Sequence, residues 1–324
     1  MQPKTLSLLA LGLAASLLGL QTDAAAPLTP ETPVQVSPKA KRFDLVTVDT
    51  DRHRLLAAHS QAGTLTVIDL GTDKLLREIP AVEKTSGVAV DAADGKYFAG
   101  GIQGVAVIDS KTLEKTGFIP TTGPTDDMAY DPDSHKLYVS HDDGTELWVI
   151  DARKDAIVGH IDIPGVPEIM AMDAPAQHLY LNIKDKNEVA VVDLQKDAVT
   201  ATWPAPGTDS PHGLVLDAKG GRLYVAGHGA KVSVFSVPDG KSQPAIDIGD
   251  GRVDQIAFDA GTGKLYIPSS GRLVVVDAAK GSVLGEVSIP KGTHSVAVDP
   301  STHLVWIVYA DDKASYAQAF KPMD

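Results

Sequence analysis

A unit of about 42 residues repeats seven times along this chain, and that period restricts the fold more than any other feature. Each unit reads as a short apolar run ending in Asp, a tight turn, a Leu-Tyr-Val-like run, a polar loop and a Val-x-Val-Ile-Asp-like run. The anchor aspartates are Asp49, Asp91, Asp131, Asp173, Asp217, Asp259 and Asp299, spaced 42, 40, 42, 44, 42 and 40 residues apart. A four-strand unit of this length is a propeller blade, which buries its faces only against neighbouring blades in a ring. The expected fold class is all-β: a seven-bladed β-propeller of four-stranded antiparallel blades spanning residues 43–324.

The third unit shows the pattern most plainly. Met128-Ala129-Tyr130-Asp131 reads as one strand, and Pro132-Asp133-Ser134-His135 as turn chemistry. Leu137-Tyr138-Val139-Ser140, Leu147-Trp148-Val149-Ile150-Asp151 and Ile157 to Ile163 supply the other three strands. The seventh unit ends with Tyr316-Ala317-Gln318-Ala319-Phe320 and has no fourth strand of its own. The segment around Val34 to Val36, inside an extended lead-in over 26–42, is the expected donor. Such a strand would join the chain's two ends and remove the free edges of an open array.

Leu137-Tyr138-Val139 with Trp148-Val149-Ile150-Asp151, and Leu223-Tyr224-Val225 with Val232-Ser233-Val234, resemble the repeats of YVTN-type, YncE-like seven-bladed propellers. The likeness runs from about residue 40 to the end, and units one, two and seven drift from the pattern. It implies the fold and little about function, because this family hosts many roles. Nucleic-acid binding is one role associated with it.

Ahead of the repeats, Lys4 precedes an apolar stretch from Leu6 to Leu20 and the small residues Ala24, Ala25 and Ala26. Fifteen residues are too few to span a bilayer, and this order suits a cleaved signal peptide over 1–25, cut after Ala24 or Ala25. No later segment is apolar enough to span a membrane. The expected product is a periplasmic or secreted monomer. It has no cysteine, so disulfides, covalent haem and thiolate metal sites are excluded. The net charge of −13 counts against a polyanion-binding surface, so nucleic acid is the least favoured partner.

Repetition separates structural polar residues from candidate functional ones. The anchor aspartates and the aspartates that end third strands recur in nearly every unit, as residues that accept backbone N–H bonds in turns would. Four residues past the anchors stand His53, Gly95, His135, Gln177, Gly221, Gly263 and His303. Glycine exchanging with histidine predicts a positive φ there, and places those histidines on the face opposite the channel mouth. His160 and His178 are expected to be exposed. Trp148 and Trp306 should pack in the core, and Trp203 should be partly exposed.

In a propeller the first strand of each blade lines the central channel. Five residues before each anchor lies one position per blade at its rim: Asp44, Ser86, Asp126, Glu168, His212, Asp254 and His294. The loops after the second strands add His59, His141, His228 and Tyr309 to the same rim. A solvated mouth favours polar residues in any case, yet carboxylates and imidazoles converging there can also bind a ligand. Two functions follow. The first is a non-enzymatic propeller that binds a periplasmic or extracellular protein partner, or a small molecule, at this rim. The second is a metal-assisted hydrolase or lyase, similar to propeller lactonases, in which Glu168, His212, Asp254 and His294 hold a divalent ion such as Ca²⁺, Zn²⁺ or Mn²⁺. No HExxH, glycine-rich phosphate loop or compact nucleophile motif is present.

Overall fold

The computed structural model describes residues 26–249 and 251–323, so the expected signal peptide lies outside the described residues. Seven antiparallel sheets follow one another, and in the first six the chain steps outward through four strands. In blade one these are Val46–Asp49, Arg54–His59, Thr64–Asp69 and Lys74–Pro80. The first strand of every blade contacts the first strands of both neighbours, including blade seven against blade one, so the ring is complete. The only helix among the described residues is a single 3-10 turn, Ser60–Ala62.

Closure uses two segments of the lead-in. Leu28–Pro30 pairs with Phe320, Lys321 and Pro322, and Val34–Ser37 pairs with Ser315, Tyr316 and Ala317. Both lie against the last strand, Ser315–Pro322, and complete a five-stranded seventh sheet. The expected donor around Val34 to Val36 is thus present, and a second donor ahead of it extends the seam.

Seven clusters of buried apolar side chains fill the seven spaces between successive blades. The repeated tyrosine of the second strand (Tyr97, Tyr138, Tyr180, Tyr224, Tyr266) is fully buried in five of them. Its hydroxyl can reach the neighbouring blade: Tyr97 donates to Asp49 Oδ2 at 2.6 Å. Trp148 and Trp306 are core residues, as expected. Trp203 is buried as well, between Tyr180 and Phe235, because blades four and five close over the strand end that carries it. Leu45 of blade one packs into the cluster shared by blades four and five, across the ring axis. The channel therefore has an apolar floor beneath its mouth.

The turn chemistry is as the repeat pattern implies. All seven positions four past the anchors have positive φ, from 50° at His53 to 67° at Gly95 and Gly263. Each anchor aspartate accepts at least one backbone N–H of its own turn. The turn histidines do more than tolerate the conformation. His303 Nδ1 lies 2.9 Å from Asp259 Oδ2 of blade six, and His135 lies 3.7 Å from Asp94 of blade two. His160 is exposed, whereas His178 is half-buried beside Tyr180.

His59 does not serve the rim. Its side chain is fully buried, its ring stacks on Phe43 at 4.1 Å, and Nδ1 lies 3.0 Å from Glu78 Oε2. Nε2 reaches the Lys41 carbonyl oxygen at 3.1 Å and Ser315 Oγ at 3.2 Å. The lead-in folds over this loop, so His59 fastens blade one to the closing seam. Residues 26–37 should accordingly matter far beyond their size. Their removal is expected to lower Tm by roughly 10 °C, through the loss of several kcal/mol of strand pairing and burial. The bared edge should also cause concentration-dependent association. Calorimetry with light scattering would check both, and an unchanged monomer at unchanged Tm would refute the role of the seam.

Candidate functional site

The channel mouth collects most of the predicted rim residues. Two cavities open there, of about 490 and 390 Å³, and both are lined by Asp44 and Ser60. The larger also takes in Arg42, Arg252, Asp254 and His294. The smaller reaches Lys84, Ser86, Asp126, Asp142 and Asp143.

On the side of blades three and four the mouth is acidic. Asp126, Asp127 and Glu168 are carried on the inner strands Thr125–Asp131 and Pro167–Asp173, and Asp142 on the loop beyond Lys136–His141. Lys184 pairs with Glu168 and lies 3.9 Å from Asp142, so it bridges blades four and three. Burial opposes its charge, but Glu168, Asp126 and Asp142 outweigh that and raise its pKa. Asp127 Oδ2 accepts the Met170 N–H at 2.8 Å, a stitch between the same blades.

Asp44, Asp126 and Asp127 hold their protons unusually well. Burial, then the charges of Asp254, Glu168 and Asp142, push Asp44 up to about 8. Burial raises Asp127 to about 7, with Glu168 adding to the effect. Asp126 is raised well above the usual carboxylate range by burial and by Glu168, Asp44 and Asp142. Asp44 belongs to blade one and Glu168 to blade four, so the coupling runs across the ring. Burial first, and like charges gathered in a recessed site second, disfavour ionisation of Asp44 and Asp126.

Blade five supplies a different chemistry, built on a distorted strand. Its inner strand Asp209–Asp217 pairs with Arg222–His228 through two register shifts, between Asp209 and Pro211 and between Pro211 and Gly213. A bulge re-aims the side chain at the irregularity, here His212. Two glycines make room. A Cβ on Gly213 would lie 2.5 Å from the Asp254 carbonyl oxygen, and one on Gly227 would lie 2.6 Å from that of Asp209. Asn182 of blade four donates to the carbonyls of His212 (2.8 Å) and Gly213 (3.1 Å) and steadies the bulge. The loop of blade six is tied to the same strand end by an Arg252–His228 bridge and a Val253 N–H bond to Gly227 O.

The result is a compact group of His212, His228 and Asp254, whose ligating atoms all lie within 4.8 Å of one another. The two imidazoles stack with centroids 4.9 Å apart. His212 Nδ1 is 2.6 Å from the Ser210 carbonyl oxygen, and Nε2 points toward Glu168 Oε1 at 3.7 Å. Burial, then His212 and Arg252, lower the pKa of His228.

Several rim expectations need correction. Of the four residues expected to hold a metal, His212 and Asp254 join one compact group, and Glu168 approaches His212 only to 3.7 Å. His228 takes the third place, because the second strand of blade five runs one residue past the position that repeat counting selects. Glu168 is engaged by Lys184, and His294 lies in the larger cavity with Nδ1 on the Gly292 carbonyl oxygen at 2.8 Å. Ser86 is buried and donates to the Thr125 carbonyl at 2.6 Å, which makes it an interblade stitch. His141 packs on Trp148, and Tyr309 stacks on Tyr316 at 5.3 Å; neither lines these cavities. Lys184, Arg42 and Arg252 carried no sequence signal, since none occupies a repeated polar position.

No family model matches this chain, and no curated protein matches it. Solved structures do. A chain of Kuenenia stuttgartiensis hydrazine synthase is similar at 14% identity and a TM-score of 0.76, covering 87% of this chain and 95% of that one. The β-propeller domain of Myceliophthora thermophila Cps50 (Swd1) is similar at 13% identity and a TM-score of 0.76, covering 92% of this chain and 100% of that one. At such identities the likeness establishes the seven-bladed β-propeller and nothing about chemistry. Among the described residues no helix is long and apolar enough to cross a membrane.

The raised carboxylate pKa values have a consequence for stability. A carboxyl whose folded pKa lies above its unfolded value binds its proton more tightly when folded. The contribution of Asp44 to stability is therefore lost as pH rises from about 4 to about 8, and the loss levels off above that. Asp44→Asn removes the group. It should leave stability unchanged near pH 3 and increase it at pH 9 by on the order of 2 kcal/mol, once solvent screening at the mouth is allowed for. Urea unfolding at both pH values would show this, and a gain equal at both would contradict it.

Proposed function

We propose that this chain is an exported, monomeric binding propeller of the YVTN type, similar to YncE-like proteins. Its channel mouth seats a small ligand and does not turn it over. The observation that carries this reading is the charge arrangement of the larger cavity. Asp44 and Asp254 line its recessed part, and the exposed guanidinium side chains of Arg42 and Arg252 line its outer part. At about 490 Å³ the cavity is of small-ligand size. Above a pH of about 8, where Asp44 is ionised, anions within and cations at the lip favour an amphoteric molecule, such as an amino-acid-like compound, with its amine inward and its carboxylate outward. A polyanion would meet carboxylates in the recess, and the overall charge of −13 repels it further.

A thermal-shift series with 6-aminohexanoate, hexanoate and cadaverine at pH 8.5 tests the seat. For a Kd of about 1 mM, 6-aminohexanoate at about 10 mM should raise Tm by roughly 3 °C. Hexanoate lacks the amine and cadaverine lacks the acid, so both should do less. Asp44→Asn and Arg252→Ala should each cut the response. Equal shifts from all three compounds, or an unchanged response in both variants, would overturn the proposal.

A further inference from the structure

We propose that His212, His228 and Asp254 form a binding site for a transition-metal ion of the Zn²⁺ class, on the wall between blades five and six. The ligand seat and this site share Asp254, but neither requires the other.

Four observations support the site. The three side chains come from separate segments and place their ligating atoms within 4.8 Å of one another. His212 Nδ1 faces the Ser210 carbonyl at 2.6 Å, so that nitrogen carries the hydrogen and Nε2 keeps its lone pair. Metal-ligating histidines are oriented in this way, the second ring nitrogen donating to a carbonyl. His228 Nε2 and Asp254 Oδ1 are both buried atoms without a hydrogen-bond partner. Orphaned polar atoms are costly, and a shared cation would satisfy both at once.

The surroundings also supply a reason for the local backbone. Two register shifts, the close approaches at Gly213 and Gly227 and the Asn182 clamp all bring these three side chains together. No other blade has an inner strand interrupted twice. Arg252 Nε pairs with Asp254 Oδ1 at 3.7 Å, beyond hydrogen-bond distance, and its side chain is 67% exposed.

The donor set selects the ion. Two imidazoles with one carboxylate suit Zn²⁺ and its neighbours, whereas Ca²⁺ and Mg²⁺ need six or more oxygen ligands. Tetrahedral bonds of about 2.1 Å bring donor atoms to about 3.4 Å from one another. The donor atoms, within 4.8 Å of one another, draw closer as the stacked rings of His212 and His228 turn inward on binding. Three protein donors would leave a fourth position open toward the larger cavity, which Asp254 also lines.

Zinc titration of chelator-treated protein by isothermal calorimetry, without any amino-acid ligand, tests the site alone. One equivalent should bind, and Ca²⁺ should produce no heat of binding. His212→Ala and His228→Gln, the latter keeping size and polarity, should each weaken zinc binding by about tenfold or more. His160→Ala, an exposed imidazole on blade three, should leave it unchanged. No uptake by the wild type at about 100 µM, a Kd range far weaker than a built site requires, would overturn the proposal. So would undiminished binding in both folded site variants. Either result would leave the amphoteric-ligand series to stand or fall on its own data.

Discussion

The antiparallel pairing of Leu28–Pro30 and Val34–Ser37 with Ser315–Pro322 is the constraint on which the rest of the structure depends. It joins segments nearly the whole chain apart. Without it, blade seven would lack an outer edge and blade one would lack a neighbour. With it, every sheet has both faces covered and every inner strand has two inner strands beside it. Side-chain stitches reinforce the same join. Gln255 of blade six donates to the Val46 carbonyl and accepts the N–H groups of Val46 and Val296, so one amide spans the junction of blades seven and one. Ser295 Oγ bonds the Asp44 carbonyl across that junction as well. His59, buried between Phe43, Glu78 and Ser315, locks the lead-in onto it.

Closure also creates the electrostatics of the mouth. The equivalent positions meet only when the ring is complete, and burial in that ring, with the charges of Asp254, Glu168 and Asp142 adding to it, holds the Asp44 carboxyl near a pKa of about 8. Leu45 packs in the apolar cluster of blades four and five, so the mouth is backed by apolar side chains, and charges interact more strongly beside such low-dielectric surroundings. Lys184 neutralises part of the acidic side, while blade five contributes imidazoles instead of carboxylates. The two sides thus differ in chemistry although their strands are equivalent in the repeat.

Much of this was legible in the residues. Histidine exchanging with glycine four places past each anchor announced a positive φ, and all seven positions have it, because the turn geometry recurs in each blade. The recurring aspartates read as turn acceptors and are so. Asp44, Asp126, Glu168, His212, Asp254 and His294 were found by counting back from the anchors, and they do reach the mouth. The count failed where a local event broke the period. His59 was drawn into the seam by a segment outside the repeat. Trp203 is covered by a neighbouring blade. Ser86 occupies a rim position but spends its hydroxyl on the backbone of blade three.

The sequence by itself determined the number of blades, the order of strands within each, the turn conformations and the identity of the inward-facing positions. All of these follow from periodicity and from local backbone preference, which act over a few residues. Only the tertiary structure decided which rim residues meet. The pairing of His212 with His228 depends on two bulges, on the space left by Gly213 and Gly227, and on a loop from the next blade. The raised pKa values depend on burial in the closed ring and, after that, on distances across it. Such contacts join residues tens to hundreds of positions apart, and no local pattern records their separation in space.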